Sequence, residues 1–89
     1  MAWKLIFNEK ALKMLKNLDK PTASRIINFL ENRLSIADNP RTFGAALKGS
    51  ALGDFWKYRV GEYRIITSIH DAEITIVVMK IGNRKDIYR

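Results

Sequence analysis

The stretch Phe55-Trp56-Lys57-Tyr58-Arg59-Val60-Gly61-Glu62-Tyr63-Arg64-Ile65-Ile66 decides how this chain is read. Aromatic and β-branched residues dominate it, and such side chains suit a pleated, half-buried surface. Gly61 stands where a tight connection needs a residue that tolerates positive φ. The stretch therefore predicts two strands around a turn. Alternate side chains of a strand point to opposite faces. Lys57 and Arg59 then share one face, Trp56, Tyr58 and Val60 share the other, and Arg64 joins the first pair if the register across the turn allows it. Cations gathered on a rigid sheet repel one another. Their grouping predicts an anion lying over them, and a nucleic-acid phosphate is the expected one.

Upstream of this hairpin, Trp3 to Phe7 reads as a short strand with Trp3, Leu5 and Phe7 on one side and Lys4 and Ile6 on the other. Asn8 is the expected N-cap of a helix, with Glu9 in its first turn where a negative charge suits the dipole. Ala11, Leu15 and Leu18 recur at helical spacing. Lys10, Lys13, Lys16 and Lys20 occupy the opposite side, which reads first as a solvated face and second as a set of phosphate contacts. Asp19 caps a second helix that tolerates Pro21 in its first turn. Ala23, Ile26, Ile27, Leu30 and Leu34 form its apolar stripe. The very short connection predicts a helical hairpin whose apolar faces the later strands cover.

Residues 35–54 lose periodicity, and Asp38-Asn39-Pro40, Gly44, Gly49 and Gly53 mark them as a long loop. Leu47-Lys48-Gly49 is a candidate anchor within it, and Arg41 and Lys48 are candidate borders of a basic groove. Downstream, His70-Asp71-Ala72 is a polar turn. Glu73 to Ile81 is β-branched and almost wholly apolar, as a central strand would be. The expected order is β-α-α-β-β-β: an α+β fold with a small, mainly antiparallel sheet and the helical hairpin on one face.

A length of 89 residues makes one domain, spanning residues 1–89. Hydrophobic residues at 47% suffice for one modest core and exclude a disordered chain. With no cysteine, disulfides and thiolate metal sites are excluded, which suits a reducing cytoplasm. No apolar run reaches the roughly 20 residues of a membrane helix, and the N-terminus does not read as a signal peptide. A net charge of +7 on so small a domain points to an anionic partner. Residues 1–50 carry nine cations against four acids and residues 51–89 seven against five, so folding must collect the patch.

Conventional catalytic sets are poorly represented. One histidine and no carboxylate cluster of ligand spacing leave no expected metal or other cofactor. Ser68, His70 and Asp71 are sequence neighbours, whereas a catalytic triad is a matter of geometry. What remains is a cationic and phenolic set: Lys57, Arg59, Arg64, Arg84 and Tyr88. RNA can be cut without a metal when its 2′-OH attacks the adjacent phosphorus, cations take up the developing charge and the leaving 5′-oxygen gains a proton. A lysine serves as base only if its pKa falls well below about 10.4, and arginine serves mainly as a fixed cation. The same five residues would equally bind a nucleic-acid backbone without cutting it.

Taken together, Asn8-Glu9-Lys10-Ala11-Leu12, Leu47-Lys48-Gly49, the run Trp56 to Ile66 and the ending Ile81-Gly82-Asn83-Arg84-Lys85-Asp86-Ile87-Tyr88 resemble the RelE toxins of the RelE/ParE superfamily. The resemblance covers nearly the whole chain. It implies a toxin of a type II toxin–antitoxin pair that enters the ribosomal A site and cleaves mRNA there without metal. On that likeness, Lys57 and Arg59 match a basic pair that activates the 2′-OH and holds the phosphate. Arg64 matches an arginine that stabilises the transition state, Arg84 one near the leaving group, and Tyr88 a tyrosine that stacks on or orients the base. Some relatives carry a histidine where this chain has Asn83, so conventional acid–base work at that position is excluded here.

Further contacts to RNA and the ribosome are expected from Lys10, Lys13, Arg41, Lys48, Lys85 and Arg89. The implied partners are the ribosome, mRNA and an acidic or partly disordered RelB-like antitoxin, with no membrane. The free toxin is expected to be a monomer and the neutralised form a hetero-oligomer, both cytoplasmic. Two alternatives stand beside this reading: a ParE-like inhibitor of DNA gyrase, and a non-catalytic nucleic-acid-binding homologue.

Overall fold

A computed structural model describes residues 2–47 and 55–87. Its elements are β1 (Lys4–Phe7), α1 (Glu9–Asn17), α2 (Lys20–Phe29), β2 (Ala45–Ala46), β3 (Phe55–Val60), β4 (Tyr63–His70) and β5 (Thr75–Asn83). The strands form one sheet in the order β1-β5-β4-β3-β2. Neighbours are antiparallel except β1, which runs parallel to β5. Such a parallel pair needs a long crossover; here most of the chain lies between the two strands. The α+β class and the helices on one face are as expected; the two-residue β2 is not.

The helices begin where local chemistry dictates. The Asn8 side chain accepts a hydrogen bond from the Ala11 amide at 2.8 Å, and Asp19 accepts from the Thr22 amide at 3.2 Å. The Thr22 hydroxyl also donates to Asp19, which holds that carboxyl below its usual range. α1 packs on β5 and β1, and α2 packs on β3. From α1 come Ala11 and Leu15, and from α2 and the π-helical turn that continues it (Leu30–Leu34) come Ile26, Leu30 and Leu34. They meet Tyr58, Ile65, Ile69, Ile76, Val78 and Ile81 in the core. Ile27, expected in this stripe, instead lies 36% exposed. Residues 23, 26, 30 and 34 already span the buried face, and Ile27 sits about 100° around the helix from Ile26.

The segment expected to be a loop has regular contacts over its described residues, 35–47. Ser35 ties it to the start of β1 by two hydrogen bonds with Trp3, both 2.7 Å. Pro40–Thr42 form a single 3₁₀ turn capped by Asn39. The buried Tyr58 hydroxyl donates to the Pro40 carbonyl at 2.7 Å, and Trp56 Nε1 donates to the Phe43 carbonyl at 2.7 Å. Gly44 then passes so close to β3 that a Cβ would lie 2.2 Å from the Lys57 carbonyl oxygen, and its φ is +69°. Only glycine satisfies both conditions. It allows Ala45 and Ala46 to pair with Lys57 and Trp56.

Candidate nucleic-acid interface

The β3–β4 hairpin has a two-residue loop, Gly61-Glu62, closed by the Val60–Tyr63 pair. Gly61 has φ +58°, while Glu62 is not among the described residues of positive φ, which is the pattern of a II′ turn. This turn sets the register. Arg59 pairs directly with Arg64, and Lys57 pairs with Ile66. Residues directly opposite share a face. Tyr58 and Ile65 face the helices, so Lys57, Arg59 and Arg64 stand together on the open face, as the alternation predicted.

Two rows of side chains cross that face. One row is Lys57, Ile66 and Lys80; the next is Arg59, Arg64 and Gly82. Strands about 4.8 Å apart and residues about 6.6–6.8 Å apart on one face give the grid its dimensions. Lys80 was not anticipated as a member. Strict alternation from Ile76 and Val78 would have pointed it into the core. The β4–β5 register shifts between Ile66 and Thr67, however, so that Lys80 faces Ile66 and Val78 faces Thr67. Met79 is the extra residue of a β-bulge, and the bulge turns Lys80 onto the open face and Ile81 into the core.

Arg64, Arg84 and Lys80 are each held by specific partners. Arg64 Nη1 donates to the carbonyls of Gly61 and Tyr63, both at 3.1 Å. Arg84 follows β5 and is tied to the hairpin turn: its amide donates to the Glu62 carbonyl at 2.9 Å and its Nε lies 3.0 Å from Glu62 Oε2. Lys80 Nζ donates to the Ile87 carbonyl at 2.6 Å. The C-terminal turn folds onto the open face because Asn83 organises it. The Asn83 carbonyl accepts from the amides of Asp86 and Ile87, and its side chain accepts from the Lys85 amide. Ile87 is buried against Gly82, where a Cβ would lie 3.0 Å from Ile87 Cδ1. Asn83 is thus a turn former, and Lys80 and Gly82 seat the segment that leads to the C-terminus.

β2 contributes by being small. Gly44 and Ala45 leave room beside Lys57, Arg59 and Arg64 for a groove of about 230 Å³. Lys85 lies exposed in the C-terminal turn, near Arg84. Lys10 and Lys13 are exposed on α1, in the helical layer on the other side of the sheet, and do not join this face. Arg41 forms a two-pronged pair with Asp71, at 2.9 and 3.0 Å, and this hydrogen-bonded partner holds the Asp71 carboxyl below its usual range. Asp71 follows β4, at the end away from the Gly61 turn, so Arg41 is distant from Arg59 and Arg64. Lys48, Tyr88 and Arg89 lie outside the described residues.

Ser68 Oγ and His70 Nε2 are 3.0 Å apart on β4. The Asp71 carboxylate points instead to Arg41. The three neighbours do not make a triad. Among the described residues, no group of three acidic, histidine or cysteine side chains could hold a metal ion. Nor is any described helix long and apolar enough to cross a membrane.

Comparison with known proteins gives this arrangement a family. The model described as ParE toxin of type II toxin–antitoxin system, parDE, matches residues 5–88. Toxin RelG of Mycobacterium tuberculosis is 29% identical over 89 residues, covering 100% of this chain and 99% of that protein. The fold is similar to a chain in the RelBE2 toxin–antitoxin complex from M. tuberculosis, with TM-score 0.83 and 24% identity over 97% of this chain and 95% of that one. It is also similar to a chain in the archaeal RelE–RelB complex from Pyrococcus horikoshii, with TM-score 0.76 and 27% identity over 97% of this chain and 99% of that one. With the match running through β1, both helices and the cationic hairpin, the chain belongs to the RelE/ParE superfamily of toxins from type II toxin–antitoxin systems.

Proposed function

We propose that this toxin is a ribosome-dependent mRNA endonuclease that cleaves in the A site and so stops translation. The observation that carries the reading is the pairing of Arg59 with Arg64 beside Lys57 on one open sheet face. A polyanion is the natural occupant of such a face. Cleavage proceeds by loss of the 2′-OH proton, formation of the O2′–P bond, breakage of the P–O5′ bond and protonation of the departing 5′-oxygen. Lys57 assists the 2′-OH, Arg59 holds the phosphate and Arg64 stabilises the charge that builds on it. Arg84, tethered to Glu62 at the rim, serves the leaving group, and Tyr88 orients the base. The ribosome supplies alignment, which is worth several kcal/mol in a reaction of this type. No cofactor is required in this reading.

A RelB-like antitoxin is the proposed inhibitor, acidic or partly disordered so that it can cover a cationic surface. The free toxin is a cytoplasmic monomer, and the neutralised form is a hetero-oligomer. Primer extension on a defined mRNA, with and without programmed ribosomes, tests the proposal. Cuts inside the A-site codon that need ribosomes are the expected result, and steep weakening by salt should accompany binding. The family match to ParE toxins favours one other reading, inhibition of DNA gyrase by binding. If no cuts appear under either condition, a supercoiling assay decides for or against it.

A further inference from the structure

A second basic groove lies beside the hairpin, and of the residues expected at the cleavage site from the sequence only Arg59 lines it among the described residues. Arg25, Phe29 and Arg33 stand at i, i+4 and i+8 along α2 and its continuation, so they share one face of the helix. With Phe43 and the end of β3 they line a groove of about 480 Å³. The Arg33 guanidinium sits 5.3 Å from the centre of the Phe43 ring, and Phe29 packs edge-on against the same ring. A Cβ on Gly61 would lie 3.3 Å from Arg25 Nη2. Arg59 completes the set, and among the described residues that line the groove there is no carboxylate.

The two grooves adjoin. Gly44, Tyr58 and Arg59 line both. Gly61 lines the second groove, where the Arg25 guanidinium lies beside it, and its carbonyl accepts from Arg64, which lines the first. β2 pairs only with Trp56 and Lys57, so it does not block the edge of β3 beyond them. The cations also differ in kind. Those on α1 are all lysines, whereas α2 and the π-helical turn after it present Arg25 and Arg33 towards the groove. Arginine binds phosphate through two parallel donors and offers a flat surface to a base.

We infer that this groove carries the RNA strand onward from the cleavage face, around the β3 edge past Arg59, with Arg25 and Arg33 on its phosphates and a base against the Arg33–Phe43 stack. The inference rests on the endonuclease reading, because it takes the strand to begin over Arg59 and Arg64. It adds a sequence-tolerant exit path that lengthens the footprint on RNA without entering the chemistry.

Fluorescence anisotropy with labelled single-stranded RNA of about 12 nucleotides, and with a short RNA of about 4, tests it. The variant is Arg25→Gln/Arg33→Gln. Both residues are exposed, so folding should survive, which a melting curve checks. Binding of the longer RNA should weaken roughly tenfold, and its salt slope should fall by about 1.4, the value for two phosphate contacts to a single strand. The short RNA should bind as it does to the unaltered toxin. Arg33→Lys should recover the salt slope and only part of the affinity. Equal loss on both RNAs, or no loss on either, would overturn the exit path; ribosome-dependent cutting by the unaltered toxin would then leave the endonuclease reading standing. Loss of antitoxin binding with RNA binding intact would overturn it as well, and would make the groove a peptide site. If the unaltered toxin neither binds the short RNA nor cuts on ribosomes, the endonuclease reading falls and the path falls with it.

Discussion

Arg59 and Arg64 face each other directly across the β3–β4 hairpin, on the sheet face turned away from the helices. Like charges in that relationship destabilise a hairpin. The structure tolerates the pair by donating Arg64 Nη1 to the carbonyls of Gly61 and Tyr63, which draws it towards the turn. Removing Arg64 should therefore separate stability from function. Arg64→Ala is expected to reduce A-site cleavage by about 10²–10³-fold. Its stability should stay within about 0.5 kcal/mol of the unaltered protein, as for most surface changes. Primer extension and urea unfolding on the same preparation check both. Full cleavage activity would remove Arg64 from the site.

Lys80 is expected to act at a distance from the chemistry, as a positioning residue. Its ammonium holds the Ile87 carbonyl, the last described residue before Tyr88. Lys80→Met should loosen the C-terminal turn, visible as faster amide exchange at Asp86 and Ile87, whose N–H groups are bonded to the Asn83 carbonyl. Cleavage should fall by up to roughly 10²-fold, the scale of a small misplacement of reacting groups. Lys80→Arg should restore exchange protection and much of the activity. A loss of activity with unchanged exchange would mean that Lys80 acts on the RNA directly.

Two glycines of positive φ should respond very differently to alanine. At Gly44 the new Cβ would meet the Lys57 carbonyl at 2.2 Å, so backbone must move. At Gly61 it would meet only the flexible end of Arg25 at 3.3 Å. Gly61→Ala should cost about 1–2 kcal/mol, the conformational term alone. Gly44→Ala should cost about 2–4 kcal/mol, since overpacking adds to that term, and it should detach β2 from β3. Urea midpoints rank the pair, and the reverse order would refute this account of the Gly44 crossing.

The Tyr58 hydroxyl should give the stability curve an alkaline limb. Burial pushes this phenol well above its usual value of 10.0, with nearby Arg41 opposing the shift. A folded-state pKa raised in this way contributes stability that is complete below about pH 10 and is lost as pH rises from there towards the folded value. Tyr58→Phe removes the bond to the Pro40 carbonyl and should cost about 1–2 kcal/mol at neutral pH. Above about pH 10 the gap between the two proteins should narrow. A gap that stays constant across that range would mean the phenol ionises equally in both states.

Asp71 supplies the acid counterpart. Arg41 lowers its pKa from 3.8 in the folded state, so the contribution is present above that value and is lost as pH falls below it. Asp71→Asn should therefore be the less stable protein at neutral pH and lose its disadvantage under acid conditions. Thermal melting at the two pH values measures this directly, and a disadvantage that persists in acid would refute the assignment.

The sequence by itself determined whatever depends on local periodicity and local chemistry. Asn8 and Asp19 cap their helices because short polar side chains reach the free amides of the first turn. The alternation through Trp56-Lys57-Tyr58-Arg59 and the glycine at position 61 set the cationic face before any partner strand is known. Tertiary structure alone decided what comes from pairing distant segments. The parallel docking of β1 on β5, the crossing at Gly44 and the capture of Arg41 by Asp71 join residues about 30 or more positions apart or carry no local period. The bulge at Met79 is the sharpest case. One extra residue reverses every side chain beyond it, so Lys80, which the pattern of Ile76 and Val78 assigns to the core, stands beside Ile66 on the open face. Ile27 likewise lies outside the core that its pattern predicts, because the buried arc of α2 was already filled. The meeting of Arg25 with Gly61 belongs to the same class: a helix and a turn brought together by the packing of α2 on β3.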